Sequence, residues 1–108
     1  QGRGRLFFIG ARPALDASAA VSMLPYALSK SLILKLSEIY NAAGRKNGIV
    51  SHVIIPSTID TPANRKSMPD SDYSKWVAPE KIAKTILFAC SDDGSALRHG
   101  VFKLYGDS

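Results

Sequence analysis

The apolar positions of the chain fall into short and long stretches that polar segments separate. Residues 5–10 (RLFFIG) and 49–55 (IVSHVII) are short and mostly apolar, which is typical of strands buried on both faces. Residues 100–106 (GVFKLYG) alternate and predict another strand. Two longer stretches between them repeat apolar residues at intervals of three and four, which predicts two helices.

The first predicted helix spans residues 26–43, and we expect Gly44 to end it in a left-handed cap. Its apolar stripe is wide, which predicts packing on two sides, against the sheet and against a second copy of the chain. The stripe consists of Leu28, Leu32, Ile33, Leu36, Ile39 and Tyr40.

The second predicted helix begins at Pro79, since proline is tolerated in the first turn. We expect the Cys90 thiol to be buried there and inert. The expected buried face is Ile82, Ala83, Ile86, Leu87 and Cys90. Residues 11–24 and 57–76 predict loops, and a loop as long as the second is often a lid or a binding segment.

The order strand, helix, strand, helix, strand predicts parallel strands joined by right-handed crossovers. The predicted fold class is therefore α/β, with about three strands and covering helices. Such a thin sheet has two open edges. It corresponds to part of a larger doubly wound, Rossmann-type parallel sheet.

Charge and composition limit the kinds of partner that we expect this chain to bind. The formal net charge is +5, but the 14 basic residues are scattered and not interleaved with aromatic residues that could stack on bases, so we expect no nucleic-acid partner. One cysteine and no membrane-length apolar run predict a soluble protein of the cytoplasm without membrane contact. The two histidines, His52 and His99, lack a carboxylate cluster, so no metal site is predicted.

Tyr26 and Lys30 are four residues apart at the start of the first helix, which places them on one face. The phenol of a free tyrosine loses its proton only at about pH 10, too high for ready proton exchange at neutral pH. A neighbouring ammonium favours the phenolate, so the pair could exchange a proton with a substrate. The alternative from these residues alone is a tyrosine that packs on a lysine stem at the surface.

The surrounding sequence resembles the later part of the short-chain dehydrogenase/reductase family: a strand ending in Gly10, the sequence YALSK, then a strand closing on PSTIDTP. The resemblance implies that Tyr26 donates a proton and that Lys30 favours its ionised form and holds the nicotinamide ribose. It also implies cofactor contacts of Pro56, Ser57, Thr58, Ile59 and Thr61. Ser57 stands where the family usually has glycine, and Thr61 alone is equally well explained as a helix cap.

Within that family, the stretch ARPALDASAAVSMLPYALSK and residues 60–76 are similar to the dihydropteridine reductases. The resemblance implies NADH or NADPH as the cofactor and a quinonoid dihydropterin as the substrate. Ala11 stands near the place where many family members carry a catalytic serine, and the dihydropteridine reductases resemble this chain in that respect.

The resemblance also implies that residues 1–108 are the C-terminal portion of one domain whose N-terminal dinucleotide-binding half is absent. The sequence Gly2-Arg3-Gly4 precedes a strand, whereas a dinucleotide fingerprint follows one. We therefore expect the isolated chain to be inactive, with the missing half and a second copy as partners. The alternatives are a short-chain reductase of another substrate and a non-catalytic interaction module.

Overall fold

A computed structural model describes residues 4–107 of the chain, which form an α/β unit. The strands in this region are β1 (Gly4–Ile9), β2 (Ile49–Pro56) and β3 (Val101–Leu104). Its α-helices are α1 (Ala17–Ala20), α2 (Leu24–Gly44), α3 (Pro62–Ser67) and α4 (Pro79–Cys90). The strands are parallel, in the order β1-β2-β3. The predicted α/β class is confirmed.

The core lies around β2, the central strand. Val53, Ile54 and Ile55 have no exposed surface. Neighbouring side chains of a strand point to opposite faces, so both faces of β2 are covered. On one of these faces Ser37 of α2 donates a hydrogen bond from its Oγ to the Oγ of Ser51, at 3.0 Å. The sequence IVSHVII is therefore largely apolar, and its two polar residues, Ser51 and His52, are themselves fully buried.

α2 approaches the sheet through small side chains. Its buried residues are Ala27, Ser37 and Gly44. The expected packing of the large apolar stripe against the sheet is wrong, because a helix this close to a strand has room only for small residues on its inner side. Five members of the stripe are instead 41–71% exposed: Leu28, Leu32, Leu36, Ile39 and Tyr40.

The expected left-handed cap at Gly44 is also wrong. Gly44 is helical, with φ −81° and ψ −7°, and the chain continues through a 3₁₀ helix, Arg45–Asn47. The left-handed residue is Gly48, with φ 68°. Gly44 serves close approach instead, because a Cβ there would lie 2.6 Å from the Cβ of Ile49.

Both segments expected to be loops contain short helices. The first holds a 3₁₀ helix, Arg12–Ala14, and α1, whose first turn is capped by Asp16. The second holds α3 and a 3₁₀ helix, Tyr73–Lys75. A parallel bridge between Ile59 and Val77 brings the two ends of the second segment together. Helices this short have too few turns to leave a periodic pattern in the sequence.

α4 buries only part of the face that was expected, since Ile82 and Ile86 are half-buried whereas Ala83, Leu87 and Cys90 are exposed. Its buried residue is Ala89, and Cys90 is exposed, so the expected buried thiol is wrong. Leu87 is 73% exposed. The small Ala89 allows the next turn to fold back on the helix, where a Cβ on Gly94 would lie 2.8 Å from the Cα of Ala89.

No helix within residues 4–107 is both long and apolar enough to cross a membrane. Of the G-x-G sequence, Gly4 begins β1, and Gly2 lies outside the described residues.

Candidate active site

A cleft of about 500 Å³ lies at the carboxyl ends of β1 and β2. Parallel strands end at the same edge of a sheet, so the segments that follow Ile9 and Pro56 meet there. The amino-terminal part of α2 and residues of α3 complete its walls. The cleft therefore joins two separate regions of the sequence, residues 9–30 and 56–68.

Tyr26 and Lys30 both line this cleft. The Nζ of Lys30 is 5.7 Å from the centre of the Tyr26 ring, so the two side chains lie on the same face of α2. Tyr26 is 49% exposed. Within residues 4–107 its hydroxyl has no hydrogen-bond partner, and Lys30 forms no ion pair. The arrangement is a phenol and an ammonium open to the same space.

Pro56, Ser57, Thr58 and Ile59 form the opposite wall. The N–H of Ser57 donates to the carbonyl of Leu104 at 3.0 Å, and its Oγ donates to the carbonyl of Tyr105 at 2.8 Å. Serine thus replaces the glycine of the family pattern without strain, since no residue other than glycine in the described part of the chain has a positive φ.

Thr61 is placed differently from the other predicted cofactor residues. Its Oγ1 accepts the N–H of Asn64 at 3.1 Å and so caps α3. Among the described residues, the cleft lining includes Asn64 but not Thr61. A role of Thr61 in cofactor binding stays a prediction.

Arg12 and Asn64 also line the cleft, although the sequence pattern did not single them out. The Nε of Arg12 donates to Asp16 at 3.3 Å, and its guanidinium lies 4.8 Å from the centre of the Tyr105 ring. The Nδ2 of Asn64 donates to the carbonyl of Ile59 at 2.8 Å. Arg12 lies three residues after the end of β1, and its position after a predicted strand was the available signal.

The segment above the cleft is held together by its own contacts. Arg65 donates two hydrogen bonds to Asp60, at 2.6 and 2.8 Å, and these lower the pKa of the Asp60 carboxyl. The guanidinium of Arg65 lies 4.5 Å from the centre of the Tyr73 ring, which contacts Trp76 at 4.7 Å. The segment that contributes Asn64 and Met68 to the cleft is therefore held by contacts among its own residues.

A second cavity of about 510 Å³ lies near the amino-terminal end of β2, with Arg45 and Arg98 in its wall. Its wall, as far as residues 4–107 form it, holds no tyrosine, histidine or carboxylate, so these residues offer no group suited to proton transfer at neutral pH. Residues 4–107 also contain no group of three or more side chains that could hold a metal ion.

No protein-family model matches the chain. Solved structures do match it, over 96–97% of its length. A short-chain dehydrogenase/reductase family oxidoreductase from Burkholderia thailandensis has a TM-score of 0.78 at 20% identity. A gluconate 5-dehydrogenase from Burkholderia cenocepacia, in complex with NADP and tartrate, has a TM-score of 0.81 at 19% identity.

The chain has the fold of these enzymes. A 4-hydroxyisoleucine dehydrogenase complexed with NADH is similar as well, with a TM-score of 0.73 at 27% identity. The chain covers 44% of the two Burkholderia structures and 45% of this one. It thus spans less than half the length of the structures it matches, and its sheet is a part of the Rossmann-type sheet that those structures share.

Proposed function

We propose that this chain carries the catalytic and substrate-binding part of an NAD(P)H-dependent short-chain reductase. The observation that carries the proposal is the pair of Tyr26 and Lys30, side by side in a cleft beyond the carboxyl ends of parallel strands. This edge of a doubly wound sheet is where such folds bind their ligands.

Tyr26 acts as the proton donor. Its hydroxyl has no partner within residues 4–107 that would compete with a substrate. The ammonium of Lys30 stabilises the negative charge left on the phenol after the proton has moved. Such a positioned acid typically contributes about 100- to 10,000-fold to the rate.

The wall opposite Tyr26 suits the nicotinamide end of a cofactor, whose part in the reaction is to supply a hydride. The N–H groups of Thr58 and Ile59 donate to no backbone carbonyl in the described part of the chain, so they remain available for a carboxamide oxygen. The ammonium of Lys30 has three N–H donors that can serve ribose hydroxyls. Pro56 and Ser57 fix the path of this wall.

A dinucleotide-binding segment completes the enzyme. The 108 residues contain no glycine-rich strand-to-helix turn that could hold a pyrophosphate, and the structures with the same fold are more than twice as long. The choice between NADH and NADPH is made in that segment, where the adenosine ribose binds.

The substrate that fits best is a quinonoid dihydropterin, as in the dihydropteridine reductases. Ala11, in the cleft wall next to the end of β1, has no hydroxyl to polarise a carbonyl group. A quinonoid ring accepts hydride readily and requires less help of that kind. A short-chain reductase of another substrate is the second candidate, favoured by the dehydrogenases of hydroxy acids among the similar structures.

A cofactor titration tests this proposal. We expect the isolated chain to bind NADH negligibly, and the chain joined to its dinucleotide-binding half to bind it at micromolar concentrations. In the joined protein, Lys30→Met should weaken binding at least about tenfold, as expected for lost hydrogen bonds from a charged group. Lys35→Met is the matched control, because Lys35 pairs with Glu38 on the exposed side of the same helix. Equal affinities of the two variants would contradict the proposal.

A further inference from the structure

Arg12 is a positively charged side chain in the cleft. The proton transfer proposed for Tyr26 and Lys30 does not use it. The charged residues in the cleft lining, among those described, are Arg12 and Lys30, and no carboxylate lines it. Lys30 lies beside Tyr26, whereas Arg12 lies toward Tyr105, which follows β3. The two cations therefore have different aromatic neighbours.

The guanidinium of Arg12 is held on two sides. Its Nε donates to Oδ2 of Asp16 at 3.3 Å, and its plane rests over Tyr105. Asp16 is fixed in turn, because its other oxygen accepts from the hydroxyl of Ser18 at 2.7 Å and from the N–H groups that begin α1. A side chain held in this way loses little conformational freedom when it binds a ligand.

The remaining donors of Arg12 point to the kind of ligand. An arginine has five N–H groups, and the Nε group is the one that Asp16 engages. The Nη groups have no partner within residues 4–107. The charge of Arg12 is already balanced by the Asp16 carboxylate at 3.3 Å. A neutral oxygen acceptor suits such a site better than a second full negative charge.

We infer that Arg12 binds a ring carbonyl oxygen of the substrate and so selects flat, uncharged oxo-heterocycles over carboxylate substrates. The inference rests on the proposed function, since it assigns Arg12 to the same cleft. Arg12 is a specificity residue and not the acid, because a guanidinium keeps its proton at any pH of interest. Tyr26 and Lys30 keep the proton transfer.

Titration calorimetry with two ligands tests this inference. The protein is the chain joined to its dinucleotide-binding half and saturated with NADH, in its unmodified form and as the Arg12→Met variant. The ligands are an oxidised pterin and 2,4-diaminopteridine. In the second ligand an amino group replaces the carbonyl oxygen of the pterin ring. We expect Arg12→Met to weaken pterin binding about 10- to 100-fold, the effect of a hydrogen bond from a charged donor, and to leave diaminopteridine binding within about twofold. Equal losses for both ligands, or no loss, would overturn the inference.

Asp16→Asn provides an independent test and keeps the cap of α1, since asparagine also caps helices. It leaves the charge of Arg12 unbalanced, so binding of gluconate, a carboxylate ligand, should tighten at least about threefold. The assignment is contradicted if Asp16→Asn leaves gluconate binding unchanged. It is also contradicted if the unmodified protein binds gluconate more tightly than pterin.

The outcomes separate this inference from the proposed function. A protein that binds pterin through Arg12 but transfers no hydride would refute the reductase and leave the assignment of Arg12 intact. A protein that reduces the dihydropterin while Arg12→Met binds it normally would refute the assignment alone. A protein that binds no pterin would refute the assignment of Arg12 and the dihydropterin substrate, and would leave a short-chain reductase of another substrate as the proposed function.

Discussion

At the scale of single residues, local spacing predicted the placement of Tyr26 and Lys30 well, because positions i and i+4 share a face on any helix. The same holds for the residues that directly follow β2, since the strand itself fixes where the chain leaves the sheet. Arg12 could not be predicted in this way. Its guanidinium lies over Tyr105, which directly follows β3 and is brought close only because β3 pairs with β2.

His52 also acquires its properties from the fold. Its ring is fully buried between Phe7 and Phe102, at 5.4 and 5.8 Å between ring centres. Nδ1 accepts the N–H of Gly100 at 2.8 Å, so the neutral ring carries its proton on Nε2, which has no partner among residues 4–107. Burial lowers the pKa of His52, and the charges of Arg5 and His99 lower it further.

This predicts acid sensitivity. Because the folded pKa is lowered, the unfolded chain takes up a proton near pH 6.5 that the folded protein does not, so stability is complete above that pH and falls below it. The free energy of unfolding should fall by up to about 1.4 kcal/mol per pH unit. Urea denaturation between pH 8 and 5 measures it.

The control for the acid sensitivity is His52→Asn, whose side-chain oxygen can accept the N–H of Gly100 but cannot titrate. It should be less stable at pH 8 and have a flatter pH dependence. An unchanged slope in the variant would show that His52 is not the group responsible.

At the scale of elements, the alternation of short apolar runs and 3.6-residue patterns predicted the strands and the two long helices, with bounds shifted by one or two residues. The inward faces were predicted less well. Large residues were expected to face the sheet, but α2 and α4 bury Ala27, Ser37, Gly44 and Ala89. The distance between a helix and a sheet decides which residues fit between them, and a hydrophobic pattern does not contain that distance.

Gly44→Ala tests the close approach of α2 to β2. The added methyl group would lie 2.6 Å from Ile49, so the helix must shift, and we expect a loss of about 1–3 kcal/mol despite the higher helix propensity of alanine. Chemical denaturation measures the change. The control Gly4→Ala meets nothing within 4 Å and should change stability by about 0.5 kcal/mol or less. A stabilised Gly44→Ala variant would refute the close contact.

At the scale of the whole molecule, the outer side of α2 is an exposed apolar surface to which the proposed reaction assigns no role. Leu28, Leu32 and Ile39 are each more than half exposed there. A large exposed apolar patch on a folded protein marks an interaction site. We propose that this stripe packs against the same stripe of a second copy, so that two chains form a homodimer through their α2 helices.

Leu32→Lys tests that pairing, because Leu32 is 71% exposed and its replacement should not disturb the core. Light scattering after size exclusion should give a dimer mass for the unmodified protein and a monomer mass for the variant. Leu87→Lys is the matched control, with 73% exposure on α4, and should remain a dimer. A mass that is the same for all three proteins would refute pairing through α2.

The most direct test of the central claim is the rate of hydride transfer in the Tyr26→Phe variant. The chain, joined to its dinucleotide-binding half, is mixed with NADH and quinonoid dihydropterin, and NADH absorbance is followed. Tyr26→Phe removes only the hydroxyl and should slow the reaction about 100- to 10,000-fold. Tyr40→Phe, a change on the same helix where the ring packs near Phe8, should retain the full rate. A Tyr26→Phe variant as fast as the unmodified protein would contradict the account.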